Sequence, residues 1–130
     1  MPTIQTIKEN QHENICEELL RERAAVLGRA GIAVEDAIDR LTFLAQEIET
    51  KMLLLKSCRT KAQNREILEK QKVLREEINL NIDQLNDLCR NAQLKYYYLI
   101  VTREALGLRR HESIKEIYRI PAIMKKIKAI

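Results

Sequence analysis

The fold turns on residues 34–55, VEDAIDRLTFLAQEIETKMLLL. Apolar residues recur in this stretch at alternating four- and three-residue steps: Val34, Ile38, Leu41, Ala45, Ile48, Met52 and Leu55. That spacing places every one of them on a single stripe of an α-helix, the seam of a coiled-coil-like pairing. Extended backwards, the register passes through Gly31 to Leu27, Ala24 and Leu20 without a change of phase. A true turn at Gly28-Arg29-Ala30-Gly31 would ordinarily reset the phase, so the pattern favours one continuous or mildly kinked helix over about residues 9–56. The competing reading is a break there, because each Gly costs a helix interior roughly 1 kcal/mol relative to Ala. The same two glycines also offer another helix a place for close approach.

Residues 57–64, Ser-Cys-Arg-Thr-Lys-Ala-Gln-Asn, are polar and poor in apolar residues, which predicts the turn of a helical hairpin. Asn64 is a good N-cap three residues before Ile67, and Thr60 with Gln63 matches a capping box. A second helix, about residues 65–106, carries Ile67, Leu74, Ile78, Ile82, Leu85, Cys89, Ala92, Tyr96 and Leu99, with Gln71 in one seam position. It is expected to pack antiparallel along most of the first. Asn79, Asn81, Asn86 and Asn91 interrupt this helix and are expected mostly to face solvent, with Asn81 able to specify register if buried. Gly107 stands where a C-cap belongs.

Residues 107–130 form a basic, amphipathic segment that Pro121 divides. It reads either as one short helix ending near Arg119 or as two short pieces. Met1 to Lys8 lacks periodicity and is expected to fray. One Phe, no Trp, three Gly and two Pro in 130 residues is the composition of long helices. The expectation is a single all-α domain over residues 1–130. Its form is a long antiparallel hairpin with a short C-terminal amphipathic helix, a three- or four-helix bundle alone or as an oligomer.

The apolar stripe of the first helix is too wide for a two-helix contact, since Phe43, Leu44, Leu53 and Leu54 widen it beyond the seam. A third helix folded back through Ile114, Ile117, Ile120 and Ile123, or a partner, must cover it. The candidate partner-binding residues are accordingly Phe43, Leu44, Leu53, Leu54, Tyr97, Tyr98, Ile114, Ile117, Tyr118 and Ile123. Three consecutive residues cover most of a helix circumference, so Tyr96-Tyr97-Tyr98 must aim at least one ring away from the seam. The plain reading packs these rings under the C-terminal segment, and the sharper one makes them a binding surface.

The net charge of +4 hides a gradient: −3 over residues 1–56, +2 over 57–106 and +5 over 107–130. Arg103, Arg109, Arg110, Lys115, Arg119, Lys125, Lys126 and Lys128 form a basic end, open to a solvated, nucleic-acid or acidic-protein reading. No helix-turn-helix, zinc-finger or basic-zipper signature accompanies it.

Little points to chemistry. Glu9-x-x-His12 occurs once, where a di-metal bundle needs it twice. His12 and Cys16 lie on one helix face and supply two metal ligands at most, with no recognisable spacing to further ones. His111-Glu112 lacks the second His of a zincin motif, and there is no Gly-rich phosphate loop. No catalytic residue, metal site or cofactor is predicted. Cys16, Cys58 and Cys89 are odd in number and scattered, which suits free thiols in a reducing compartment. No run reaches the roughly twenty apolar residues of a membrane span, so a cytoplasmic protein is expected.

These features together predict a non-enzymatic protein-interaction module that pairs with itself, as a homodimer, or with an amphipathic client helix. The alternative is nucleic-acid association through the basic C-terminal segment. In length, heptad-rich helices and a separable amphipathic C-terminal segment the chain resembles the flagellar and type III secretion export chaperones. That resemblance lies in outline, without a shared motif, and implies client binding by a helical surface.

Overall fold

The computed structural model of the protein describes residues 3–61 and 63–126. Two long helices, α1 (Ile4–Thr60) and α2 (Arg65–Ala105), pack antiparallel, and a short α3 (Glu112–Ile117) follows. No strand is present among the described residues. The chain is an all-α helical hairpin.

The seam is the core. Leu41, Ile48 and Leu55 of α1 cluster with Ile78, Ile82, Leu85, Cys89 and Ala92 of α2, and Val34 and Leu99 are buried as well. Ala37 joins them, while Ala45 and Met52 are half-buried beside the cluster. Each large apolar side chain fully buried in this way contributes roughly 1.5–3 kcal/mol relative to exposure. As the unbroken register requires, α1 runs on through Gly28 and Gly31 without a turn.

Several boundaries differ from the sequence reading. The helix starts well before Glu9: Thr3 is an N-cap whose Oγ1 accepts the Thr6 amide at 3.2 Å, so α1 begins at Ile4. Met1 and Pro2 lie outside the described residues. The turn is shorter than residues 57–64, because α1 continues to Thr60. Asn64 caps α2 alone, its Oδ1 accepting the Ile67 amide at 2.9 Å. Gln63 does not close a capping box with Thr60. Its Nε2 instead donates to the carbonyls of Cys58, Arg59 and Lys61, the groups that the end of α1 leaves without helical partners. Gln71 is buried for the same reason, donating to the Cys58 carbonyl at 3.1 Å. A polar residue in the seam thus completes the hairpin tip.

At the other end Gly107 takes φ +87°, and the Leu108 amide reaches back to the Arg103 carbonyl at 2.8 Å while the Gly107 amide reaches Glu104 at 3.0 Å. This is a Schellman closure, open to glycine because a side chain at that φ would clash. It reverses the chain onto the hairpin.

The C-terminal segment does fold back, but only six of its described residues are helical. From Tyr118 to Lys126 it lies along the hairpin as a non-helical strap. Pro121 lacks an amide and fixes its own φ, so a helix does not continue through it. The residues facing the hairpin are therefore Ile114, Tyr118, Ile120 and Met124, all half-buried, whereas Ile117 and Ile123, expected in the packing face, are exposed. Ile127, Lys128 and Ile130 lie outside the described residues.

Asn86 holds the strap. Its Nδ2 donates to the Met124 carbonyl and its Oδ1 accepts the Met124 amide, both at 2.9 Å. Lys126 adds an ion pair to Asp83 at 3.1 Å, and the Tyr118 hydroxyl donates to Glu35 at 3.2 Å. The asparagines of α2 are consequently not solvent-facing: Asn81 and Asn86 are buried, and Asn79 and Asn91 half-buried. The Asn81 Nδ2 is buried without a hydrogen-bond partner.

Candidate functional site

α1 has 57 residues and α2 has 41, so the first helix exceeds the second by 16 residues, about 24 Å of rise. The excess, about Ile4 to Leu19, projects from the open end of the hairpin as an arm, and the exposed surface continues to Val26. Every residue from Ile4 to Val26 is exposed, including Ile4, Ile7, Ile15, Leu19, Leu20 and Val26, which retain between 42% and 75% of their accessible surface. At 100° per residue, Cys16, Leu20 and Leu27 continue the stripe that Val34 and Leu41 bury further along. Ahead of Leu20 the seam positions are Glu17, Glu13, Asn10 and Thr6, so the apolar seam ends near Leu20 while the helix runs on.

At the root of the arm a shallow cleft of about 430 Å³ opens between α1, α2 and α3. Ala24, Leu27, Gly28 and Gly31 form one wall, and Leu99, Ile114 and Tyr118 the other. A Cβ on Gly28 would meet nothing within 4 Å, and one on Gly31 would touch only the Tyr118 hydroxyl at 3.6 Å. The small residues therefore leave open room beside the helix. Burial and the adjacent Glu35 carboxylate raise the Tyr118 pKa above its ordinary value, so this phenol stays neutral and donating.

The other candidate residues divide among three places. Phe43 and Leu54, both more than half exposed, share a shallow groove with Gln46 and Thr50, while Leu53 is exposed and Leu44 is packed against the core. Tyr97 and Tyr98 are exposed neighbours with ring centroids 6.1 Å apart. They are not packed beneath the C-terminal segment, which crosses nearer Asn86 and Glu35. Ile114 and Tyr118 line the cleft at the arm root. The apolar candidates thus form separate patches rather than one site.

The basic end is partly committed to structure. Arg103 donates from Nε to His111 Nδ1 at 3.3 Å and from Nη2 to the Arg110 carbonyl at 2.9 Å. With Nδ1 accepting, the His111 proton sits on Nε2, which lies 3.2 Å from Glu104. Lys126 is paired with Asp83, whereas Arg109, Arg110, Lys115, Arg119 and Lys125 are exposed. Arg103 and Lys126 therefore fix the fold of the C-terminal segment.

On the arm, His12 Nε2 and Cys16 Sγ are 3.8 Å apart. Among the described residues of one chain no three His, Cys, Asp or Glu side chains converge in a way that could hold a metal ion. Cys58 and Cys89 are free thiols elsewhere on the hairpin, and burial raises the Cys89 pKa. No described helix is long and apolar enough to cross a membrane.

Two functional features escape the sequence reading. Asn86 as the clamp of the strap leaves no signal, because an isolated Asn on a helix resembles its solvent-facing neighbours. The arm is legible in principle, from the unequal lengths of two helices that must pair end to end from one turn. Comparison of the chain with family models, with curated proteins and with solved structures gives no match.

Proposed function

We propose that the protein is a non-enzymatic protein-interaction module that pairs its α1 arm with another helix, either a second copy of itself or an amphipathic client helix. The observation that carries this reading is the arm itself. Its helical residues from Ile4 to Val26 stand in solvent, with Ile15, Leu19 and Val26 exposed on one face and Leu20 exposed beside them. Most helical stability in proteins comes from tertiary packing of an apolar face, so a partner that buries the arm's apolar residues stabilises it. A second copy offers an arm of equal length with the same exposed apolar residues.

The test is the solution mass of the full chain by light scattering across a tenfold concentration range, beside the variant Leu20→Asp. The expected result is a dimer for the natural chain and a monomer for the variant, with the hairpin melting unchanged. A natural chain that stays monomeric and captures no amphipathic helix overturns the proposal.

The alternative, nucleic-acid contact, draws on the exposed basic residues of the C-terminal segment. It predicts binding that weakens steeply with salt, because each phosphate neutralised releases counterions. Apolar helix pairing instead persists at high salt.

A further inference from the structure

We propose that the groove holding the strap continues past Lys126 and takes residues 127–130 of the same chain, with Asn79 gripping the main chain at Ile127 as Asn86 grips Met124. This goes beyond the arm pairing above and does not depend on it.

The first support is the kind of contact already made. Asn86 is buried on α2 and meets both the amide and the carbonyl of one strap residue, each at 2.9 Å. A side-chain amide carries a donor and an acceptor side by side, so it reads the main chain and not the side chain. An equivalent asparagine can therefore hold any residue whose main chain reaches it.

The second is a repeat on α2. Asn79 lies one heptad before Asn86, on the same face, and is half-buried. Glu76 lies one heptad before Asp83, which pairs with Lys126. The wall that holds Met124 and Lys126 is thus repeated about 10.5 Å nearer the hairpin tip. The strap already runs that way, since Met124 meets Asn86 and Lys126 meets Asp83.

The third is the step of the tail. Three residues of chain advance about 9.3 Å in the polyproline form and about 10 Å in a strand, close to one heptad of helix. Ile127 stands three residues after Met124, and Ile130 three residues after that. Lys125, Lys126, Lys128 and Ala129 fall between them. The large apolar residues of the tail recur at the step at which α2 presents its asparagines.

The fourth is the opposite wall. The Tyr118 hydroxyl sits beside Gly31 and donates to Glu35, which marks the side of α1 that the strap follows. Ala45 and Met52, half-buried against the core, lie two and three heptads after Gly31, and Glu49 lies two heptads after Glu35. Beyond the strap this side is therefore apolar at its floor and acidic at its rim, which suits Ile127 and Ile130 with Lys128 between them. Once the tail is seated, the chain itself closes this side of the hairpin.

Amide hydrogen exchange by NMR on the full reduced chain, natural and Asn79→Ala, at two protein concentrations, tests the dock. The Ile127 amide should exchange at least about tenfold more slowly than in an unstructured chain, because the Asn79 side-chain oxygen accepts its proton. Asn79→Ala should abolish that protection and leave Met124 protected, with circular dichroism checking that the helices persist. Residues 127–130 exchanging in the natural protein as an unstructured chain does would overturn the dock. Protection at Ile127 that survives Asn79→Ala overturns the clamp. Protection that rises with protein concentration assigns the groove to the tail of a second copy and overturns the intramolecular reading.

Discussion

The two halves of α1 belong to one unbroken helix and live in opposite environments. Val34, Leu41, Ile48 and Leu55 are buried beneath α2, whereas Ile15, Leu19, Leu20 and Val26 are exposed. A heptad pattern therefore states how a helix would pair, and the length of its neighbour states whether it does. Two long helices joined by a short turn pair only as far as the shorter one reaches, so α2, ending at Ala105, leaves the start of α1 to something outside the hairpin.

The strongest test of this contrast is a pair of matched truncations. Leu41→Ala, in the buried half, should cost roughly 3 kcal/mol, because a cavity opens where the surrounding helices relax only partly. Leu19→Ala, in the arm, should change the stability of the dilute chain by less than about 0.5 kcal/mol. Chemical denaturation measures both. If the arm substitution costs as much as the core one under monomeric conditions, the arm is already packed and the contrast fails.

A smaller effect concerns the third segment. Asn86→Ala removes both hydrogen bonds to Met124 and strands its amide and carbonyl against α2. The strap should loosen by about 1–3 kcal/mol. Hydrogen exchange at Met124 would then accelerate while exchange in the middle of α2 stays slow. Equal acceleration in both would mean that the strap is part of the cooperative core and not a separate layer.

The weakest is a pH effect at Tyr118. Its folded pKa is raised by burial and by the Glu35 carboxylate that accepts its proton. A group whose folded pKa is raised contributes stability that is complete below its unfolded value and is lost as pH rises through the folded one. Strap docking should therefore be constant through neutral pH and weaken above about pH 10. Tyr118→Phe should remove that alkaline step. Limited proteolysis at Lys125 and Lys126 across the range reads it, and an unchanged step in the variant would place its origin elsewhere.

Much of the hairpin was legible because helices are written in local patterns. The seam, the turn before Asn64 and the stop at Gly107 each follow from period, capping and a positive φ, which depend on residues a few positions apart. The C-terminal segment was half legible. Pro121 signalled the end of a helix, but which of Ile114, Ile117, Ile120 and Ile123 would face inward depended on the path of a non-helical strap, and that path has no period to read. The candidate surface was least legible. Phe43, Leu54, Tyr97 and Tyr98 are exposed as an interaction reading requires, yet they sit in separate patches, and Ile15, Leu19, Leu20 and Val26 are exposed on the arm as well.

Periodicity and capping in the chain were enough to dictate two long helices, the place where they turn and the stripe of each that seeks a partner, because those properties arise from neighbours along one helix. Burial of Asn81 and Asn86 and the clamp of Asn86 on Met124 emerged only on folding. Those outcomes depend on where separate segments meet in space, and a local pattern carries no record of the distance over which its partner extends.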